Sequence, residues 1–281
     1  MEVKKLGQIV RGQDGVVFCG FLFRFDINGD CFVYKTSALS NDSTLFSKFR
    51  LDKSKLIAPH SNAVVFSGVR YNDADEFPLL YANVYNNYAN CEDKQKGVVC
   101  VYRLQRCDDV FSTTLVQIIE IGFVEDGLWK SENVADVRPY GNFVIDPKNS
   151  ILYAFTMRDE ERKTRYFSFN LPSVDSGEVD DRYGVKRAVL EKGDVVDYFD
   201  CEYHRFIQGA CFNGGIIYSL EGFGDEINRP ALRLIDTAAK EQTAVYYFSD
   251  FGLNIEPEFI DFEGQICYYA DNHGNVYQLA F

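Results

Sequence analysis

The chain has 281 residues, 46% hydrophobic and 15% aromatic, enough to bury a large core in one all-β domain or in two ordinary ones. Its 29 basic against 42 acidic residues leave a net charge of −13, which repels phosphate backbones and anionic lipid, so neither nucleic acid nor membrane is an expected partner. No apolar run is long enough to cross a bilayer, and "MEVKKLGQIV" lacks the apolar segment of a signal peptide; with Met1 as the native start, a cytoplasmic location is expected.

In chain order, "VKKLGQIV" (residues 3 to 10) has the composition of a strand. The next phrase, "GQDGVVFCG", ends at Gly20 and opens a series: it recurs in diverged form as "PHSNAVVFSG", "YGNFVIDPKN", "IQGACFNG" and "EPEFIDFEG". Each copy is followed by a second aromatic strand, "FLFRFD", "PLLYANVYN", "ILYAFTMR", "IIYSLEGF" and "ICYYAD". A third follows each time at "CFVYKTS", "VVCVYRLQ", "TRYFSFNL", "ALRLID" and "VYQLAF". Fourth strands are expected at "LFSKFRLD", "LVQIIEIG", "VKRAVLEK" and "AVYYFS", while the fifth copy runs out of chain. An extended loop is expected within "EDGLWKSENVADVRPY" and a helical turn within "GDVVDYFDCEYHR".

Residues 3 to 10 can supply the missing strand, because closing a ring with strands from both termini removes an exposed sheet edge. The reading is therefore a single all-β domain over residues 1 to 281: a five-bladed β-propeller of four-stranded antiparallel blades closed by the N-terminal strand, with six blades as the alternative. Eight cysteines are scattered through apolar runs without paired spacing and read as free, mostly buried thiols; "CEYH" has no second half of a metal motif.

"PHSNAVVFSG", "DEFPLLY", "RPYGNFVID", "IYSLEGF" and "IEPEFIDF" resemble phrases of a group of uncharacterised bacterial propeller proteins, over nearly the whole chain. That resemblance implies the fold and lends no activity. The Ser-x-Asp-x-Gly-x-Thr-Trp box of sialidase-type propellers is absent, and five-bladed arabinanase-type glycosidases are similar in architecture alone.

Counting back six residues from Gly20, Gly68, Gly214 and Gly264 gives Asp14, Asn62, Gln208 and Glu258, and the third copy contributes Asn142. First strands are innermost in a propeller, so these carboxylates and amides are expected in a ring around the channel. Two residues back, on the same strand face, stand His60, Tyr140 and Glu256, with Arg138 and Arg205 nearby. Guanidinium forks, amides and carboxylates beside aromatic rings suit a small polar or carbohydrate-like ligand at the channel mouth. Short polar side chains that satisfy strand ends and hold channel water give the same pattern without a ligand.

Two further functions stay open. One is a glycoside hydrolase with Asp14 and Glu258 as paired carboxylates, a chemistry that needs them about 5 to 9.5 Å apart. The other is a protein-interaction platform. A Ser-His-Asp hydrolase is not expected, since only His60, His204 and His273 exist and no Gly-x-Ser-x-Gly elbow is present. No cofactor and no dedicated metal site is expected, although Asp14, Glu258 and amide oxygens are ligands that calcium in the channel accepts. A monomer is expected.

Overall fold

A computed structural model of the chain describes residues 1–84, 95, 97–123, 142–158, 162–202 and 206–281. Strand β1 (Glu2–Gln8) is followed by β2 (Gly15–Phe18), β3 (Phe21–Phe25), β4 (Asp30–Lys35) and β5 (Ser47–Arg50), the four antiparallel strands of blade 1. Blade 2 is β6 (His60–Phe66), β7 (Leu80–Val84), β8 (Val98–Cys107) and β9 (Val110–Ile121). In blade 3, β10 (Phe143–Asp146), β11 (Ile151–Arg158) and β12 (Lys163–Asn170) come first. The chain then forms β13 (Glu178–Asp180) and β14 (Val185–Leu190) before β15 (Val195–Glu202). Blade 4 is β16 (Ile207–Asn213), β17 (Ile216–Glu221), β18 (Ala231–Asp236) and β19 (Glu241–Tyr247). Blade 5 is β20 (Pro257–Glu263), β21 (Ile266–Asp271) and β22 (Asn275–Ala280).

The five sheets make a five-bladed propeller, not the six-bladed alternative. Strand β1 completes blade 5 by pairing with β22 from Glu2 opposite Ala280 to Gln8 opposite Asn275. A register slip at Leu6 lets both Leu6 and Ile9 pack with Tyr268, Ala270 and Val276, so the closure is held by a packed apolar face as well as by backbone bonds.

The sequence reading of blade 3 needs a correction. "VKRAVLEK" becomes β14, which joins the outer edge of blade 2 in parallel with β9, Lys186 to Leu190 lying opposite Gln117 to Ile121. The fourth strand of blade 3 is β15, inside "GDVVDYFDCEYHR", paired to β12 from Lys163–Glu202 to Phe169–Val195. The expected helical turn shrinks to one 3-10 turn at Lys192–Asp194. Against β9, Arg187 bridges Glu120 at 2.8 Å and Leu190 packs into the cluster with Ile119 and Ile121, while within its own hairpin Arg187 meets Asp180 of β13 at 2.7 Å. The expected loop within "EDGLWKSENVADVRPY" lies outside the described residues.

Between blades the core is largely aromatic. The Phe23 ring meets Phe21, Phe49, Phe66, Phe77 and Phe111, drawn from blades 1 and 2 and the connection at Phe77, with centroids 5.6 to 6.5 Å apart. Burying each such ring contributes about 1.5–3 kcal/mol, and edge-on contacts add to it. These wedges hold the innermost strands β2, β6, β10, β16 and β20 against one another, and β6 and β16 also meet across the axis.

Candidate functional site

The innermost strands do not begin as regular β-structure. Pairing slips between His60 and Val64 in β6, between Ile207 and Ala210 in β16, and between Pro257 and Phe259 in β20. Asn62, Gln208 and Glu258 therefore lie in bulges, while Asp14 and Asn142 sit one residue before β2 and β10. Bulges re-aim side chains, and His60 and Ser61 adopt left-handed φ of 71° and 55°. The period-of-two argument that placed His60 on the face of Asn62 is thus broken by the backbone.

A chain of side-chain hydrogen bonds runs from blade to blade at this level. The Asn62 Nδ2 donates to Asn142 Oδ1 at 3.4 Å, and Asn62 Oδ1 accepts from Asn83 Nδ2 at 2.5 Å. The Asn142 Nδ2 donates to the Ile207 carbonyl at 3.1 Å. Gln208 Nε2 donates to Glu256 Oε1 at 2.8 Å and to the Gly222 carbonyl at 3.2 Å. Asn272 Nδ2 then donates to Glu256 Oε2 at 2.7 Å and to Glu258 Oε1 at 3.2 Å. The structure so brings Asn62 beside Asn142, and Gln208 beside Glu256; Asn272 joins the second pair to Glu258. Arg138, Tyr140 and Arg205 lie outside the described residues.

Beneath this tier is a buried charge cluster. Asp14 is 0% exposed and Glu258 2%. Asp14 Oδ2 accepts the Val64 N–H at 2.8 Å, tying blade 1 to blade 2, and its Oδ1 has no protein partner among the described residues. Gly209 makes room here: a Cβ on it would fall 2.2 Å from the Glu258 carbonyl and 2.9 Å from Asp14 Oδ1. Arg24, also 0% exposed, donates through Nη2 to the carbonyls of Gly12 at 2.7 Å and Asp271 at 3.2 Å. Its Nε and Nη1, like Glu258 Oε2, have no protein partner among the described residues. Such atoms are the usual hosts of internal water.

Burial dominates the electrostatics. It pushes the Asp14 carboxyl well above the ordinary range against the opposing pull of the Val64 and Gly15 amides and of Arg24. It raises Glu258 to about 8, with Arg24 acting in the opposite direction. Burial raises Glu256 as well, partly offset by the Asn272 and Gln208 amides, and lowers His60, which favours its neutral form. Arg24 is lowered by its own burial and supported by Glu258, Asp14 and Asp271.

Arg24, Asn83 and Asn272 were not singled out in the sequence. For Arg24 a signal existed: a lone arginine in "FLFRFD" must be charge-paired if that strand is buried on both sides. Among the described residues no group of three or more His, Cys, Asp or Glu side chains could hold a metal ion. A cavity of about 640 Å³ opens away from the axis, between β14 and β15, lined by Leu171, Pro172, Ala188, Val189, Val195 and Val196 among others. Its polar lining is Asn170, Ser173, Ser176 and Asp194, the last its one charged side chain.

One carboxylate near the axis gives a pH prediction. Asp261 on β20 accepts the Val17 N–H at 2.8 Å, and crowding by the strands raises it from 3.8 to about 7. Folding therefore favours its protonated form, and its contribution to stability falls as pH rises from about 4 through 7. Asp261→Asn keeps an oxygen for Val17 and removes that penalty. Part of Asp261 reaches solvent, so the expected gain is about 1–2 kcal/mol at pH 8.5 and close to zero at pH 4. Urea denaturation of both proteins at the two pH values checks this, and a variant less stable than wild type at pH 8.5 contradicts it.

The fold and tier define a five-bladed β-propeller with a buried charge cluster among its innermost strands and, linked to it, a tier of amides and carboxylates of which Asn62, Glu256 and Asn272 are half-buried. No family model and no curated protein matches the chain. Among solved structures it is similar to the glutaminyl cyclase of Myxococcus xanthus, at 10% identity over 100% of this chain and 94% of that one, with a TM-score of 0.49. It is also similar to the computationally designed Ika8 protein, at 9% identity over 99% of each chain, with a TM-score of 0.39. Neither likeness carries an argument about function.

Proposed function

We propose that the protein binds a small polar, hydroxyl-rich ligand at the mouth of the propeller channel. The observation that carries this reading is the interblade run of Asn62, Asn142, Gln208, Glu256 and Asn272, whose members at Asn62, Glu256 and Asn272 are only half-buried. Each oxygen of Glu256 takes one amide donor and keeps a lone pair, and Gln208 Oε1 has no partner among the described residues. Few convergent polar groups on a rigid floor are what orients a small ligand. Free thiols at all seven described cysteines support a reducing, cytoplasmic setting.

The glycoside-hydrolase reading draws on Glu258, raised to about 8 and so protonated at neutral pH as a general acid must be. The exposure of only 0% and 2% at Asp14 and Glu258 weighs against their reaching a glycosidic oxygen. Turnover of a bound oligosaccharide that disappears in Glu258→Gln is the result that would restore it.

A thermal-shift screen of mono- and oligosaccharides, uronic acids and phosphorylated metabolites tests binding, because a ligand of the folded state alone raises the melting temperature by mass action. A hit is expected to lose at least about tenfold in affinity in Glu256→Ala, the scale of a lost charge-assisted hydrogen bond. A blank screen, or hits indifferent to Glu256→Ala, overturns the reading.

A further inference from the structure

The connection from β17 to β18 carries a large apolar side chain into solvent beside the polar tier. Phe223 is 43% exposed although its loop is firmly tied. On one side of it, the Gly222 N–H donates to the Phe206 carbonyl at 3.1 Å and the Gly222 carbonyl accepts from Gln208 Nε2 at 3.2 Å. On the other side, Gly224 lies so close to the next blade that a Cβ would fall 2.7 Å from the Asn254 carbonyl and 3.1 Å from the Glu256 nitrogen. Gly222 and Gly224 have φ of 97° and 84°, which few other residues adopt. Asp225 completes the loop, its Oδ1 accepting the N–H groups of Ile227 at 2.9 Å and Asn228 at 2.6 Å.

The exposed ring is therefore bracketed by a hydrogen bond to Gln208 on one side and a close approach to the Glu256 backbone on the other. It also rests on Phe206, with centroids 4.1 Å apart and planes tilted by 39°. Solvent exposure of a ring on so constrained a loop gains nothing for folding; it provides a flat apolar surface next to hydrogen-bonding groups.

We propose that Phe223, backed by Phe206, is the platform on which the mouth takes one face of a neutral pyranose ring, with Glu256, Gln208 and Asn272 bonding its hydroxyls. This rests on the channel-mouth reading above and names its ligand class. The weakly positive C–H groups of a sugar face suit the negative face of an aromatic ring, and its hydroxyls suit carboxylate and amide acceptors. An anionic ligand fits less well: the described tier holds Glu256 and Glu258, the Arg24 charge is fully buried, and the chain as a whole carries −13. A quaternary organic cation also fits less well, because it has no O–H to give the lone pairs left on Glu256, and burial raises that carboxyl toward the neutral form.

Isothermal titration and thermal shift of the full chain with methyl pyranosides, glucuronate and tetramethylammonium provide the test, in wild type, Phe223→Leu, Phe223→Trp and Glu256→Gln. The expected result is pyranoside binding that weakens about tenfold or more in Phe223→Leu and is kept or tightened in Phe223→Trp, with unliganded melting temperatures almost unchanged. Glucuronate and tetramethylammonium should bind more weakly than the neutral sugars. Ligands that depend on Glu256 but ignore Phe223 overturn the platform and leave the mouth reading standing, whereas a Phe223-dependent response to tetramethylammonium alone keeps the ring as a platform and overturns its neutral-sugar ligand. No binding by any of the three probes overturns the neutral-sugar assignment, and a blank in the wider metabolite screen as well overturns the mouth reading itself.

Discussion

Replacing Arg24 with methionine is expected to remove about 3–5 kcal/mol of stability, the scale measured when one partner of a buried charge cluster is deleted. Methionine fills most of the volume, so the loss is electrostatic and not a cavity. What disappears is the positive charge that supports Glu258, Asp14 and Asp271, together with the bonds to the Gly12 and Asp271 carbonyls. For a domain of this size the melting temperature should fall by roughly 10 °C. The deficit should shrink as pH falls toward 5, because burial raises the Glu258 and Asp14 carboxyls, so that they are protonated there and need no countercharge. Calorimetry of Arg24→Met at pH 5 and pH 8 decides it: a melting temperature within about 2 °C of wild type at pH 8 would show that the cluster does not need its cation.

Deleting residues 1 to 9 should do more. Without β1 the whole length of β22 becomes an open edge, and Tyr268, Ala270 and Val276 lose the cover of Leu6 and Ile9. Blade 5 would then keep only the three strands β20, β21 and β22. The expected outcome is a melting temperature lower by at least about 10 °C, the scale of several kcal/mol lost, with self-association through the bare strand. A truncated chain that stays monomeric by light scattering and melts like the full one would contradict the closure.

Most of the architecture was written locally. The recurrence of an apolar strand ending in glycine, as in Val16 to Gly20 and Val64 to Gly68, marked the innermost strands without any long-range information. The alignment of the copies singled out Asn62, Asn142, Gln208 and Glu258; Asn62 then bonds Asn142, and Gln208 is connected to Glu258 through Glu256 and Asn272. Three things were not legible. A bulge depends on how two strands pair, so the turn of His60 away from simple alternation has no signature in "PHSNAVV". Strand composition says that Val185–Leu190 can be a strand and nothing about which sheet receives it, where Arg187 meets Glu120 and Leu190 packs on Ile119 and Ile121 of β9. Phe223 and Asn272 sit in connections whose course is set by contacts with the neighbouring blade or with the hairpin's own strand, and turn residues there signalled a loop without showing where it leans.

The excursion of β14 onto blade 2 bears on which sheet edges this chain leaves open to a second copy. At twelve residues, β9 is the longest described strand, and an unprotected outer edge of that length is a template on which a second molecule could grow a continuous sheet. The chain disarms it from both flanks. Near its start, Asp52 of the turn after blade 1 donates its N–H to Thr113 Oγ1 at 3.0 Å and accepts the Leu115 N–H through Oδ2 at 3.0 Å. Over its second half, β14 occupies the edge from Gln117 to Ile121. The sheet then ends in β13, whose three residues include Glu178 and Asp180, too short and too charged to recruit a stranger's strand.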